Sequence, residues 1–218
     1  VAHGPTDVQN LGCDFFVCSP YKFFGPHQGV LWGKYELLQK LESYKVRPAD
    51  NMPPGKFETG TQSHEGQAGT LGVIEYLEWI GESMGKEFQQ NFNELSGRRK
   101  NLHAAMYAIQ EYEQILSEKL ISGLQMFPDV QIAGISNKKD FYRRVPTVSF
   151  SVKNKNPQKI AQKLADENIF VWHGHNYALE VVRLMGIEDS GGVVRIGPVH
   201  YNTIQEIDRT LEVLGSCL

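Results

Sequence analysis

Short apolar blocks stand at both ends of the chain, and helical stripes run through its middle. Residues 15–18 and 30–32 are apolar runs of strand length bounded by turn residues, and they predict two buried strands. Residues 6–11 read as a connection or helical turn leading into the first of them. A short helical pattern covers 35–41. Residues 45–70 are then irregular and rich in Gly and Pro, and loops of that length are often functional. Helical periodicity returns over 70–84, with Leu71, Ile74, Leu77 and Ile80 on one face. A long helical region is predicted from about 85 to 126, with a break or bend at Gly97. Its stripe of Leu102, Met106, Ile109, Leu116, Leu120 and Leu124 faces a core and is too irregular for a heptad seam. Further on, strands are predicted at 130–133, 147–152, 169–172 and 193–196, and a helix at 157–168. A last helix opens on the capping-box spacing of Thr203 and Glu206, with Ile207, Leu211 and Leu214 inward. This pattern predicts an α/β chain in two parts, 1–90 belonging to an α/β layer and 91–218 forming a small α+β domain.

Composition narrows the function class. The 218 residues are enough for a real core, and 41% hydrophobic with 22% charged content is ordinary for a globular protein. The net charge of −3 gives no electrostatic case for nucleic acid or an acidic membrane. No apolar run approaches the roughly 18 residues of a membrane span, and the first residues lack the basic and apolar regions of a signal peptide. Cys13, Cys18 and Cys217 are few, odd in number and scattered. That argues against a disulfide framework and fits a reducing, cytoplasmic setting. Their spacing also lacks the paired ligands of a zinc site.

Candidate chemistry begins with Lys22. It lies between the two apolar runs in Ser19-Pro-Tyr-Lys-Phe-Phe-Gly-Pro26, a turn dense in aromatics. A lysine shielded from water loses hydration of its ammonium and becomes a nucleophile, the setting that Schiff-base lysines need. A snorkelling lysine with its ammonium in water meets Lys-Phe-Phe equally well. Arg195 falls in mid-strand between Val194 and Ile196, where a charge needs a partner or a site. His173 and His175 stand two apart on a strand, with no third metal ligand in view.

The lysine segment resembles the Ser-x-His-Lys-x-x-Gly-Pro motif of class V pyridoxal-phosphate (PLP) enzymes, the NifS-like cysteine desulfurase family. Two more segments carry the likeness. Phe57-Glu-Thr-Gly-Thr61 is similar to the family's Phe-Glu-x-Gly-Thr. Arg195-Ile-Gly-Pro-Val-His-Tyr-Asn-Thr-Ile-Gln-Glu-Ile-Asp208 is similar to its Arg-x-Ser-x-x-x-Tyr-Asn-Thr-x-x-Glu-Ile-Asp, with Gly197 at the usual serine. The resemblance implies the C-terminal part of a fold-type I PLP-dependent transferase, the end of the large-domain sheet plus a small α+β domain. It implies pyridoxal 5'-phosphate held as an aldimine by Lys22, with Ser19 and Tyr21 at its phosphate. Tyr21 replaces a histidine there. Gly60 and Thr61 would reach the phosphate of a second subunit, which implies a homodimer. Arg195 would bind the α-carboxylate of an amino-acid substrate, with His175 beside it as a second substrate-binding residue.

Two departures shape the expected function. One group of the family's desulfurases carries its persulfide-forming cysteine in the loop that aligns with His173-Gly-His-Asn-Tyr177, and here that position is Tyr177. A thiolate nucleophile is therefore missing, so aminotransferase or other PLP chemistry is expected rather than desulfuration. By register, the aspartate that pairs with the pyridine nitrogen falls upstream of Val1, so the chain is expected to act as an incomplete fragment. The alternative is a non-catalytic remnant or dimerisation module of the same fold.

Overall fold

The structure is a computed structural model that describes residues 2–218. Two compact units divide the chain, residues 1–108 and 109–218.

The first unit opens with strands β1 (Phe15–Cys18) and β2 (Val30–Gly33), paired antiparallel with Val17 opposite Leu31. Helices α1 (Tyr35–Lys40), α2 (His64–Ser83) and the first turns of α3 (Gly97–Leu124) follow, with a 3-10 segment Lys86–Phe92 before α3. The core of this unit joins Phe23 and the α2 residues Val73, Leu77 and Ile80 with Ala104 and Ala105 of α3. Arg98 pairs with Glu78 at 2.7 Å and Asn101 Nδ2 donates to Glu82 Oε1 at 2.8 Å, fastening α3 to α2.

Three expectations for this unit need correction. Both strands form, but they are not buried: Val17 is 71% and Leu31 63% exposed. Among the described residues this sheet has two strands, and a lone pair cannot cover its own faces. Helix α2 begins at His64, six residues earlier than its periodicity starts. Gly66, Gly69 and Gly72 carry no apolar side chain, so they leave the first two turns without a stripe. Its inner face is Val73, Leu77 and Ile80, whereas Leu71 is exposed. The break at Gly97 is real, with φ 53 at the first residue of α3.

The second unit is a four-stranded antiparallel sheet in the order β3-β4-β6-β5: β3 (Val130–Ile132), β4 (Val148–Val152), β5 (Trp172–Gly174) and β6 (Val193–Ile196). Its core unites Leu116, Leu120 and Leu124 of α3 with Phe150, Val194, Ile160 and Leu164 of α4 (Pro157–Asp166), and Ile207 and Leu214 of α6 (Ile204–Cys217). A short helix α5 (Leu179–Leu184), not foreseen from the pattern, links β5 to β6. The third strand sits three residues later than the apolar run 169–172 suggests. Ile169 is occupied elsewhere: its N–H donates to Leu164 O at 2.8 Å while Asn168, at φ 60, donates to Ala165 O at 2.9 Å. That paired closure ends α4, so the strand can start only after it.

The capping box of α6 is complete. Thr203 Oγ1 accepts from the Glu206 N–H at 3.2 Å, and Glu206 Oε2 accepts from the Thr203 N–H at 2.7 Å. The backbone N–H of Thr203, with help from Asn202, holds the Glu206 carboxyl below its ordinary pKa. Thr203→Ala should cost about 1 kcal/mol in a urea titration at neutral pH. A carboxyl depressed in the folded state contributes stability above the usual carboxylate range and loses it as pH falls through the folded value. The stability gap between the native chain and Glu206→Gln should therefore close on acidification. A gap that stays constant from pH 7 to pH 3 would rule this out.

Candidate active site

In the first unit the lysine lies on a 3-10 turn, Pro20–Phe23, with Ser19 at its N-cap. Such a helix has three residues per turn, so Pro20 and Phe23 share a side and both are buried. Tyr21 and Lys22 are thereby turned outward, and both are exposed. Lys22 is exposed, so the shielding expected for it is not supplied by the described residues. Lys22 Nζ instead lies 5.5 Å from the centroid of the Tyr21 ring, within cation–π range. Tyr21 in turn stacks on His27, with centroids 4.8 Å apart and planes inclined by 19°. Sequence reasoning passed over His27, and the aromatic density of the turn was the signal available for it.

The segment after the lysine lies along one face of α2. A β-carbon at Gly66 would collide with Gln28 Oε1, one at Gly69 would stand 3.0 Å from Pro26 Cγ, and one at Gly25 would stand 2.9 Å from Val73 Cγ2. Positions 66, 69 and 73 share a helical face, so the missing side chains let the backbone of the turn lie against it. The same helix follows the loop holding Gly60, at φ 78, and Thr61, both exposed. Ser19, Tyr21, Lys22, Gly60 and Thr61 are thus all in the first unit. The side chain of Ser19 makes no capping hydrogen bond.

His175 and Arg195 belong to the second unit. Val194 and Ile196 point into the core, while Arg195 between them is exposed on the opposite face of the sheet. No hydrogen bond or ion pair to its guanidinium occurs among the described residues, so the partner that a mid-strand charge calls for is not in this unit. Its cross-strand neighbours are Ser149 on β4 and Trp172 on β5. Trp172 was read only as a strand residue. An open cleft of about 300 Å³ lined by Phe170, Pro198, Asn202 and Thr210 includes neither Arg195 nor His175. Among the described residues no group of three His, Cys, Asp or Glu side chains converges as a metal site would need.

The loop after β5 is tightly wound. Gly174 has φ 107, Asn176 φ 50 and Tyr177 φ 60. His175 Nδ1 accepts from the Tyr177 N–H at 3.1 Å, and His175 O accepts from the Ala178 N–H at 2.7 Å. An Nδ1 that accepts carries no proton, so the ring N–H is on Nε2. The Tyr177 side chain projects fully into solvent and meets the imidazole edge-on at 6.2 Å.

The family model for Aminotransferase class-V matches residues 1–98 and 100–210. This chain belongs to the class-V aminotransferase family. It is 31% identical over 220 residues to the aminotransferase-like protein FGM3 of Gibberella zeae, covering 99% of this chain and 49% of that protein. It is 28% identical over 222 residues to a cysteine desulfurase of Klebsiella pneumoniae, covering 96% and 47%. The apo structure of a cysteine desulfurase from Thermococcus onnurineus superposes with a TM-score of 0.77 at 26% identity, over 99% of this chain and 50% of that one. The fold of this class-V chain is therefore that of the fold-type I desulfurases, and the chain spans about half the length of the two curated relatives named here, and less of others. No helix among the described residues is long and apolar enough to cross a membrane.

The hydrogen bond inside the 173–178 loop gives a direct test. His175→Ala should speed hydrogen exchange at the Tyr177 amide by about three- to tenfold, the worth of one such bond. Unchanged exchange would mean that the imidazole does not hold the loop.

Proposed function

We propose that this chain carries the lysine and carboxylate-binding residues of a PLP-dependent enzyme acting on an amino acid. Residues 1–90 contribute to its cofactor-binding large domain and residues 91–218 form its small domain. The observation that carries this reading is the match of the Aminotransferase class-V model to residues 1–98 and 100–210, which takes in both Lys22 and Arg195. The residues present fit the cofactor. Lys22 would hold it through Nζ. The uncapped hydroxyl of Ser19 and the phenol of Tyr21 are donors for its phosphate, and Gly60 and Thr61 form an exposed turn able to serve the phosphate of a second copy. Such sharing makes the active form a homodimer.

When bound, pyridoxal phosphate supplies an electron sink for charge at the substrate α-carbon. The chain's own residues do the rest. Arg195 receives the α-carboxylate in a two-point fork and so fixes the substrate's orientation. His175 presents its Nε2–H as a second donor. Lys22 Nζ, once unprotonated, takes and returns the α-proton. Membership of the aminotransferase-like branch is supported by Tyr177, a phenol at the loop position where one group of the family's desulfurases holds a thiol. The three free cysteines support a reducing, cytoplasmic setting.

A second reading, a non-catalytic module of the same fold, draws on the exposure of Lys22 and of the apolar pair Val17 and Leu31. Borohydride reduction after incubation with pyridoxal phosphate, followed by peptide mapping, separates the two. The enzymatic reading expects one stoichiometric label on Lys22, lost in Lys22→Ala. Weak label spread over many lysines would favour the non-catalytic module. With cysteine as substrate, the complete enzyme should form no persulfide on Cys13, Cys18 or Cys217, and mass spectrometry that finds one would return the protein to the desulfurases.

A further inference from the structure

We infer that the amino acid received by Arg195 bears a planar ring, and that Trp172 selects it. The inference rests on the proposed carboxylate role of Arg195. The β5–β6 register sets Trp172 directly opposite Arg195, on the same face of the sheet, where both are exposed although Val193 two residues earlier is buried. Directly opposed residues of an antiparallel pair have β-carbons about 5 Å apart. Trp172 is 62% exposed, and its indole therefore offers a ring surface on the face of the sheet that carries Arg195.

The other side of Arg195 is different. Its neighbour on β4 is Ser149, a small polar residue. Next along the open face of β4 stands Ser151, and opposite that Gln131 on β3. A ligand held by its carboxylate at Arg195 thus finds a large apolar surface toward β5 and only small or polar groups toward β4. A planar ring one methylene from the α-carbon gains the most from that asymmetry, through stacking on the indole. A methyl or a thiol at the same place covers little of the indole. Tyr177, fully exposed on the loop that continues β5, adds a second aromatic on the same edge of the sheet.

The test is an NMR titration of the full chain with L-phenylalanine and with L-alanine, following the indole and guanidinium resonances. L-Phenylalanine should bind about three- to tenfold more tightly, the margin expected of one aromatic pair. Trp172→Leu should abolish that ratio and leave the L-alanine affinity in place, and Trp172→Phe should restore most of it. Arg195→Gln should weaken both ligands alike. Equal affinities for the two amino acids in the native chain, still dependent on Arg195, would overturn the ring selection and leave the carboxylate role standing. Affinities indifferent to Arg195→Gln, or no shift with either ligand, would overturn both. All three substitutions are at exposed positions, and thermal melts check that each variant is folded.

Discussion

A charge in the middle of a strand is tolerated only when the strand's other face does the packing. β6 is built on that constraint. Val194 and Ile196 close the core against Phe150, Leu164 and Ile207, and Arg195 is left on the open side. A slip of one residue would turn the guanidinium into that core and Val194 into water, so the register is strongly specified. Everything on the open face follows from it, including the choice of Ser149 and Trp172 as neighbours. The helix ends reinforce the arrangement. The closure of α4 at Asn168 and Ile169 and the capping box of α6 at Thr203 and Glu206 fix where the covering layer stops and where the chain re-enters the sheet.

The first unit obeys the opposite economy. Its hairpin has two strands and two open edges, and the Val17–Leu31 pair carries no cover. What holds the lysine turn in place is α2, whose glycines let segment 25–28 approach closely. The turn is therefore well placed while its lysine is not shielded. A nucleophilic amine needs desolvation as well as a fixed position, and exposure leaves an ammonium its hydration.

Legibility in the sequence tracked how local each signal was. The strand at 193–196, the cap at Thr203 and the core stripe of α3 were readable because period, spacing and side-chain type all agree there. Burial of β1 and β2 was misread because a run such as Phe-Phe-Val-Cys reports apolarity and says nothing of how many strands will join it. The start of α2 was hidden by glycines that serve close packing, a tertiary reason invisible to periodicity. The displaced start of β5 had the same origin, since Ile169 reads as strand yet closes a helix. For the candidate site, motif residues such as Lys22 and Arg195 could be named from sequence. The stacking of Tyr21 on His27 and the pairing of Trp172 with Arg195 could not, because both depend on contacts that spacing does not encode.

The 173–178 loop shows how backbone strain can fix where a side chain is presented. Two successive non-glycine residues, Asn176 and Tyr177, are in left-handed conformations. Each is costly for a residue with a β-carbon, by about 1–3 kcal/mol, and asparagine bears it more easily than tyrosine. The hydrogen bonds from Tyr177 N–H and Ala178 N–H to His175 offset part of that cost. Strain held in this way fixes the direction of a side chain, and the direction here is outward for Tyr177. The backbone thus determines that a group is presented at the loop, whereas the residue at 177 determines which group it is. A phenol there can stack or donate a hydrogen bond but cannot accept sulfur as a thiolate does. Position and chemistry at residue 177 are thus specified separately, the first by backbone conformation and the second by the side chain.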